Sequence, residues 1–149
     1  MTETLTLPKI ILWLKRIEIF EQLAVNELAA VASVTEEIDF AENHEVIKEN
    51  DQGDTLYLII EGRVSVFKRQ EDGSEIELDF MDAGDYFGEM ALFEDLPRTA
   101  TIRTTTPCRM LMLHKQEFKE MVREYPQIAL AICKILSARI RKLHTRMTQ

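Results

Sequence analysis

Little in this sequence suits a metal, a disulfide or a membrane. Cys108 and Cys133 are the two cysteines in 149 residues. They share no ligand spacing and form no disulfide framework, so both read as reduced packing residues. His44, His114 and His144 are far apart and no His-x-His pair occurs, which argues against a metal-dependent β-barrel enzyme. No Ser-His-Asp or activated-cysteine pattern stands out, so no catalytic residue, catalytic cofactor or metal is expected and the chain reads as a non-enzyme. The apolar run Ile10–Leu14 is too short for a signal or membrane segment, and the opening Met1-Thr2-Glu3 lacks a basic start. A cytoplasmic protein without membrane insertion is the expectation. Gly (5) and Pro (4) are also sparse, which leaves no room for low-complexity linkers.

What is present is ordinary for a folded chain. Apolar residues make up 46% and charged residues 30%, and the length suits one globular domain with a real core. The net charge of −8 disfavours non-specific nucleic-acid binding, which needs clustered cations. The charge is uneven. From Tyr125 to Gln149 there is no acidic residue, while Lys134, Arg139, Arg141, Lys142 and Arg146 supply five cations. Subtracting these leaves −13 on the rest.

The pattern runs helix, strands, helix over a single domain, residues 1–149. Residues 8–32 read as short helices. Pro8 suits a first helical turn, Ile11, Leu12, Leu14 and Ile17 make an apolar stripe, and Leu28 and Val31 face inward in a helix over Val25–Ala32. Residues 34–113 alternate with period two, as in Leu56-x-Leu58-x-Ile60, Val64-x-Val66 and Ile76-x-Leu78-x-Phe80. This argues for half-buried antiparallel strands in a sandwich or jelly roll, with Met110 and Met112 as packing. Turn signals separate them at residues 51–54, 61–62, 71–74 and 82–85. Residues 115–147 return to helical period. Lys115–Glu124 carries Phe118, Met121 and Val122. A longer helix after Pro126 carries the stripe Ile128, Ile132, Leu136, Ile140, Leu143 and Met147.

One segment concentrates binding chemistry: Phe87-Gly88-Glu89-Met90-Ala91-Leu92, then Pro97-Arg98-Thr99-Ala100-Thr101. Gly88 permits a tight turn at a strand end, and Met90-Ala91-Leu92 favour a short helix whose leading N–H groups suit a phosphate. Arg98 offers a planar fork for phosphate oxygens. Glu89 is placed to accept from a sugar hydroxyl. The bland alternative is a strand-turn-helix in which Glu89 and Arg98 form a surface ion pair.

This segment resembles the phosphate-binding cassette of the cyclic nucleotide-binding domain family, including the nine-residue step from Glu89 to Arg98. The resemblance extends from about Leu12 to Leu143. It takes in Asp51-Gln52-Gly53-Asp54, Gly62-x-Val64-x-Val66 and the approach Gly84-Asp85-Tyr86. It implies a mainly β fold with flanking helices, a β-roll or jelly roll (double-stranded β-helix). It also implies a regulatory module that binds cAMP or cGMP and signals through its C-terminal helices. Carried over residue by residue, Glu89 would take the ribose 2′-hydroxyl and Arg98 the exocyclic phosphate oxygens. The N–H groups of Ala91 and Leu92 would cap the phosphate, Gly88 would admit the sugar, and Thr99 would add a hydroxyl donor. Phe87, Met90 and Ala100 complete the ligand-binding set. Thr99 leaves both nucleotides open. Asn43 and Asn50 stand where the family has glycine, and asparagine tolerates the left-handed backbone those turns need. A member that keeps the fold as a ligand-independent interaction module is the alternative. No DNA-binding helix-turn-helix follows the long helix within the chain, so DNA binding is not implied and the effector is unknown.

The basic C-terminal helix has two compatible readings. Its cations complement the helix dipole and face solvent. Its stripe at coiled-coil-like steps also suits a homodimer, a lid over the base through Ile140, Leu143 or His144, or an acidic partner.

Overall fold

The computed structural model describes residues 4–148; Met1–Glu3, the opening noted above, and Gln149 lie outside the described residues. Two compact units form, one from the chain up to Val34 together with Phe118 onward, the other from Thr35–Glu117.

In the first unit α1 spans Leu7–Leu14, a 3-10 turn spans Glu18–Phe20, and α2 spans Val25–Ser33. Pro8 sits in the first turn of α1, and Glu27 accepts from the Ala24 N–H at the start of α2 (2.8 Å). Leu14, Ile17, Phe20, Leu28 and Val31 are buried, but Leu12 is 66% exposed. Leu12 and Leu14 are two positions, about 200°, apart around the helix, so they cannot share a face. α3 spans Lys115–Glu124 and buries Phe118 and Met121; the Phe118 ring lies 6.3 Å from Phe20. α4 spans Gln127–Thr148 and buries Ile128, Ile132 and Ile135. Of the expected stripe, Leu136 is half-buried while Ile140, Leu143 and Met147 are exposed; steps of four residues drift about 40° each around the helix, and Ile135 restores the 3.6 period. Arg139 pairs with Glu18. Cys133 is exposed rather than a packing residue, being one step around α4 from buried Ile132. No helix among the described residues is long and apolar enough to cross a membrane.

The second unit is two four-stranded antiparallel sheets. β1 (Glu36–Phe40), β8 (Cys108–His114), β3 (Thr55–Glu61) and β6 (Tyr86–Phe87) form one, in that order. β2 (Glu45–Ile47), β7 (Thr101–Thr104), β4 (Arg63–Arg69) and β5 (Glu75–Asp82) form the other. The molecule is therefore mainly β with flanking helices. Within the second unit Ile47, Ile59, Val64, Phe87, Ile102, Cys108 and Met110 pack as one buried cluster. Asn43 and Asn50 take φ of 65° and 72°, as their place in the turns requires.

β5 departs from simple alternation. The register shifts between Val66 and Phe67, so Val66 opposes Asp79 and Phe67 opposes Glu77. Leu78 is the extra residue of a bulge. Met81 then packs on the core, while Phe80 faces away, under the Arg63 guanidinium at 4.1 Å.

Candidate functional site

The chain leaves β6 and turns at Gly88, whose φ of +84° is left-handed. A Cβ there would meet the Thr55 carbonyl oxygen at 2.5 Å and Arg98 Nη1 at 2.7 Å, so both backbone conformation and space demand glycine. The helix expected next is one 3-10 turn, Glu89–Leu92. Its bonding alters one expectation. The Ala91 N–H already donates to the Gly88 carbonyl (3.1 Å), because a 3-10 turn closes i to i−3 bonds. It is thus no spare phosphate donor.

Beside this turn lies a cavity of about 430 Å³, within the second unit. Its wall brings together Phe87, Gly88, Glu89, Met90, Ala91, Arg98, Thr99 and Ala100. Leu92 is not in the wall; it is buried beneath, as core. Ile47, Val66, Met81 and Ile102 add apolar lining that the sequence reading did not single out. Glu89 lies in the wall with its Oε2 atom buried. Behind Phe87 the Tyr57 ring stacks at 5.2 Å.

Arg98 is the cation of this cavity, and the turn from Asn50 to Thr55 grips it. Its N–H donates to the Asp51 carbonyl and its carbonyl accepts from the Asn50 N–H, both at 2.8 Å. Gln52 bridges to Pro97. Nη2 donates to the Thr55 carbonyl at 2.8 Å. Gly53 makes room, since a Cβ there would stand 2.1 Å from Nε. This grip escaped the sequence reading; the glycine in Asp51-Gln52-Gly53-Asp54 was its only trace.

The electrostatics follow. Arg98 is half-buried, and among the described residues no carboxylate lies within ion-pairing distance of it. The Glu89–Arg98 surface pair is thus not formed. Burial pulls the guanidinium pKa down, while Tyr57 and Asp54 oppose that shift. Burial raises the Tyr57 phenol against the nearby Arg98 charge. A guanidinium stays protonated at any working pH, so a charge without a carboxylate partner faces an apolar hollow. Such an arrangement attracts an anion attached to an apolar body, and the volume lies in the range of about 300–1,000 Å³ typical of small-molecule sites. The described residues contain no cluster of metal-ligating side chains.

The chain is similar to known proteins. The sequence model for the cyclic nucleotide-binding domain matches residues 37–125. A CRP-like cAMP-activated global transcriptional regulator of Mycobacterium tuberculosis is 31% identical over 134 residues, covering 90% of this chain and 60% of the regulator. A cAMP-dependent protein kinase regulatory subunit of Emericella nidulans is 33% identical over 110 residues, covering 74% of this chain and 26% of the subunit. The chain thus spans less than two thirds of the first relative and about a quarter of the second. The crystal structure of the N-terminal domain of a Streptomyces coelicolor transcriptional regulator superimposes with a TM-score of 0.84 at 29% identity, covering 91% of this chain and 94% of that domain. The cassette, the Arg98 cavity and these relatives agree: the chain belongs to the cyclic nucleotide-binding domain family.

Proposed function

We propose that residues 1–149 act as one sensor domain that binds cAMP or cGMP without turning it over. The observation that carries this reading is Arg98: a half-buried guanidinium with no ion-paired carboxylate among the described residues, lining a mostly apolar cavity. In this reading Arg98 holds the exocyclic phosphate oxygens through its free edge while the Thr55 carbonyl fixes the other edge. Glu89 accepts from the ribose 2′-hydroxyl and Gly88 admits the sugar. Thr99 supplies a hydroxyl to phosphate or base. Ile47, Val66 and Met81 offer apolar contact to the base. Ligand binding shifts the helices that continue from β8, since a ligand moves an equilibrium through differential contacts. The output is a regulatory partner or a fused effector, in the cytoplasm. The exposed α4 stripe pairs two copies.

A thermal-shift titration with cAMP, cGMP and 5′-AMP tests this. At 100 times its dissociation constant a ligand adds about 2.7 kcal/mol, expected as a rise of roughly 5–10 °C for a domain of this size. Both cyclic nucleotides leaving the melting temperature unchanged would favour a ligand-independent module. An equal rise in Arg98→Ala would remove the phosphate contact from the assignment. Hydrolysis of the nucleotide would reopen an enzymatic reading.

A further inference from the structure

The junction of β8 and α3 holds the cassette at two separate points. The first is direct. Lys115, the first residue of α3, pairs through Nζ with Oδ1 of Asp95, in the loop between the 3-10 turn and Pro97. The second passes through the start of β3. The Lys115 N–H donates to the Asp54 carbonyl (2.8 Å), and Thr55 Oγ1 lies 2.9 Å from His114 Nδ1. The Thr55 carbonyl in turn accepts from Arg98 Nη2. His114 and Lys115 therefore restrain both the cassette loop and its arginine.

Lys115 stands where a cation is least welcome. The first turn of a helix carries a partial positive charge, and the lysine side chain is only 11% exposed. A largely buried ammonium needs a counter-charge. Asp95 supplies it from a side chain that is 81% exposed. The ion pair thus ties a surface loop to a residue fixed by packing.

We propose that Lys115 is a positioning residue for the nucleotide site: by holding Asp95 it keeps the loop between Glu89 and Arg98 in its binding geometry. This inference rests on the cyclic nucleotide reading above. Coupling is reciprocal, so a ligand that orders the cassette also strengthens the Lys115–Asp95 contact at the entrance to α3.

The test is a double-mutant cycle on the full chain, with affinity from titration calorimetry and release rate from stopped flow, using cAMP and cGMP. Lys115→Met and Asp95→Asn are each expected to weaken binding roughly fivefold, mainly by faster release. The double variant is expected to be no weaker than either single one. Asp95→Glu should restore binding. Asp95 is exposed enough that Asp95→Asn keeps the fold, checked by an unchanged circular-dichroism spectrum and a cooperative melt without ligand, at a melting temperature lowered by the loss of the counter-charge to Lys115. Wild-type protein that binds while Asp95→Asn binds equally well, or fully additive losses, would overturn this inference alone. Wild-type protein that binds neither nucleotide would overturn the site reading and this inference with it.

Discussion

A Cβ on Gly53 would stand 2.1 Å from Arg98 Nε and 2.4 Å from its Cζ, so this glycine, lacking a left-handed φ, is required by space alone. Gly53→Ala is therefore expected to leave the backbone in place and push the guanidinium aside. Cyclic nucleotide affinity should fall at least about tenfold, or 1.4 kcal/mol, with a much smaller change in the melting temperature of the unliganded protein. Titration calorimetry checks it, and unchanged affinity would mean that the arginine does not need this niche. The cassette itself was readable because its residues are consecutive: Gly88, Glu89 and Arg98 sit in one short stretch and all line one cavity. The grip on Arg98 was not, because Gly53 and Thr55 lie more than 40 positions upstream and meet it only through the fold. The bond that occupies the Ala91 N–H is not legible for a local reason: the sequence suggests a helix start, but not that the turn is 3-10 and closes on Gly88.

Strands were legible wherever one face is dry. α3 runs over the expected residues, and β3 and β4 lie where the period-two pattern places them, but β3 is buried on both faces along most of its length and β4 buries the adjacent Val64 and Ser65 as well as Phe67. β5 has both faces largely exposed, so nothing in its pattern marked the bulge. On β4, Phe67 is a buried aromatic that two cations help to cover. The ring is 2% exposed, with the Arg103 and Arg69 guanidinium carbons 4.4 and 5.4 Å from its centroid. Phe67→Ala should cost about 3–5 kcal/mol, read as a lower urea midpoint. A loss under 1 kcal/mol would show that the cations re-cover the gap. The strand pairings also set an acid limit. The Arg109 hydrogen bond to Asp39 across β1 and β8, Ser74 beside Asp72, and Arg103 beside Glu75 hold these carboxyls below their ordinary pKa. Their stabilisation is complete above the unfolded value of about 4 and is lost as pH falls through the lower folded values. Urea midpoints should be flat from pH 7 to 5 and drop below 4. Asp39→Asn should drop less steeply.

Charge is divided along the chain: five cations and no acid beyond Glu124, against −13 elsewhere. On α4 these cations flank Ile140, Leu143 and Met147, which are 67%, 56% and 83% exposed. An unburied stripe of this kind has two candidate covers, and salt separates them. If two copies pair through α4, two helices rich in cations are brought side by side, eight of the ten charges lacking the Glu18 partner that Arg139 has. Screening then relieves their repulsion, and the Debye length falls from about 10 Å at 0.1 M to 3 Å at 1 M. If the stripe docks on an acidic surface, the attraction is screened and salt weakens the contact. The homodimer reading therefore predicts that the dimer fraction seen by sedimentation rises between 0.05 and 0.5 M NaCl (roughly a tenfold rise in ionic strength). It also predicts that Leu143→Lys gives a monomer whose nucleotide affinity is little changed, since the Arg98 cavity is lined wholly from residues 47–102. A monomer at all salt concentrations would refute pairing. A Leu143→Lys monomer with lost affinity would make α4 part of the ligand site as well as the seam.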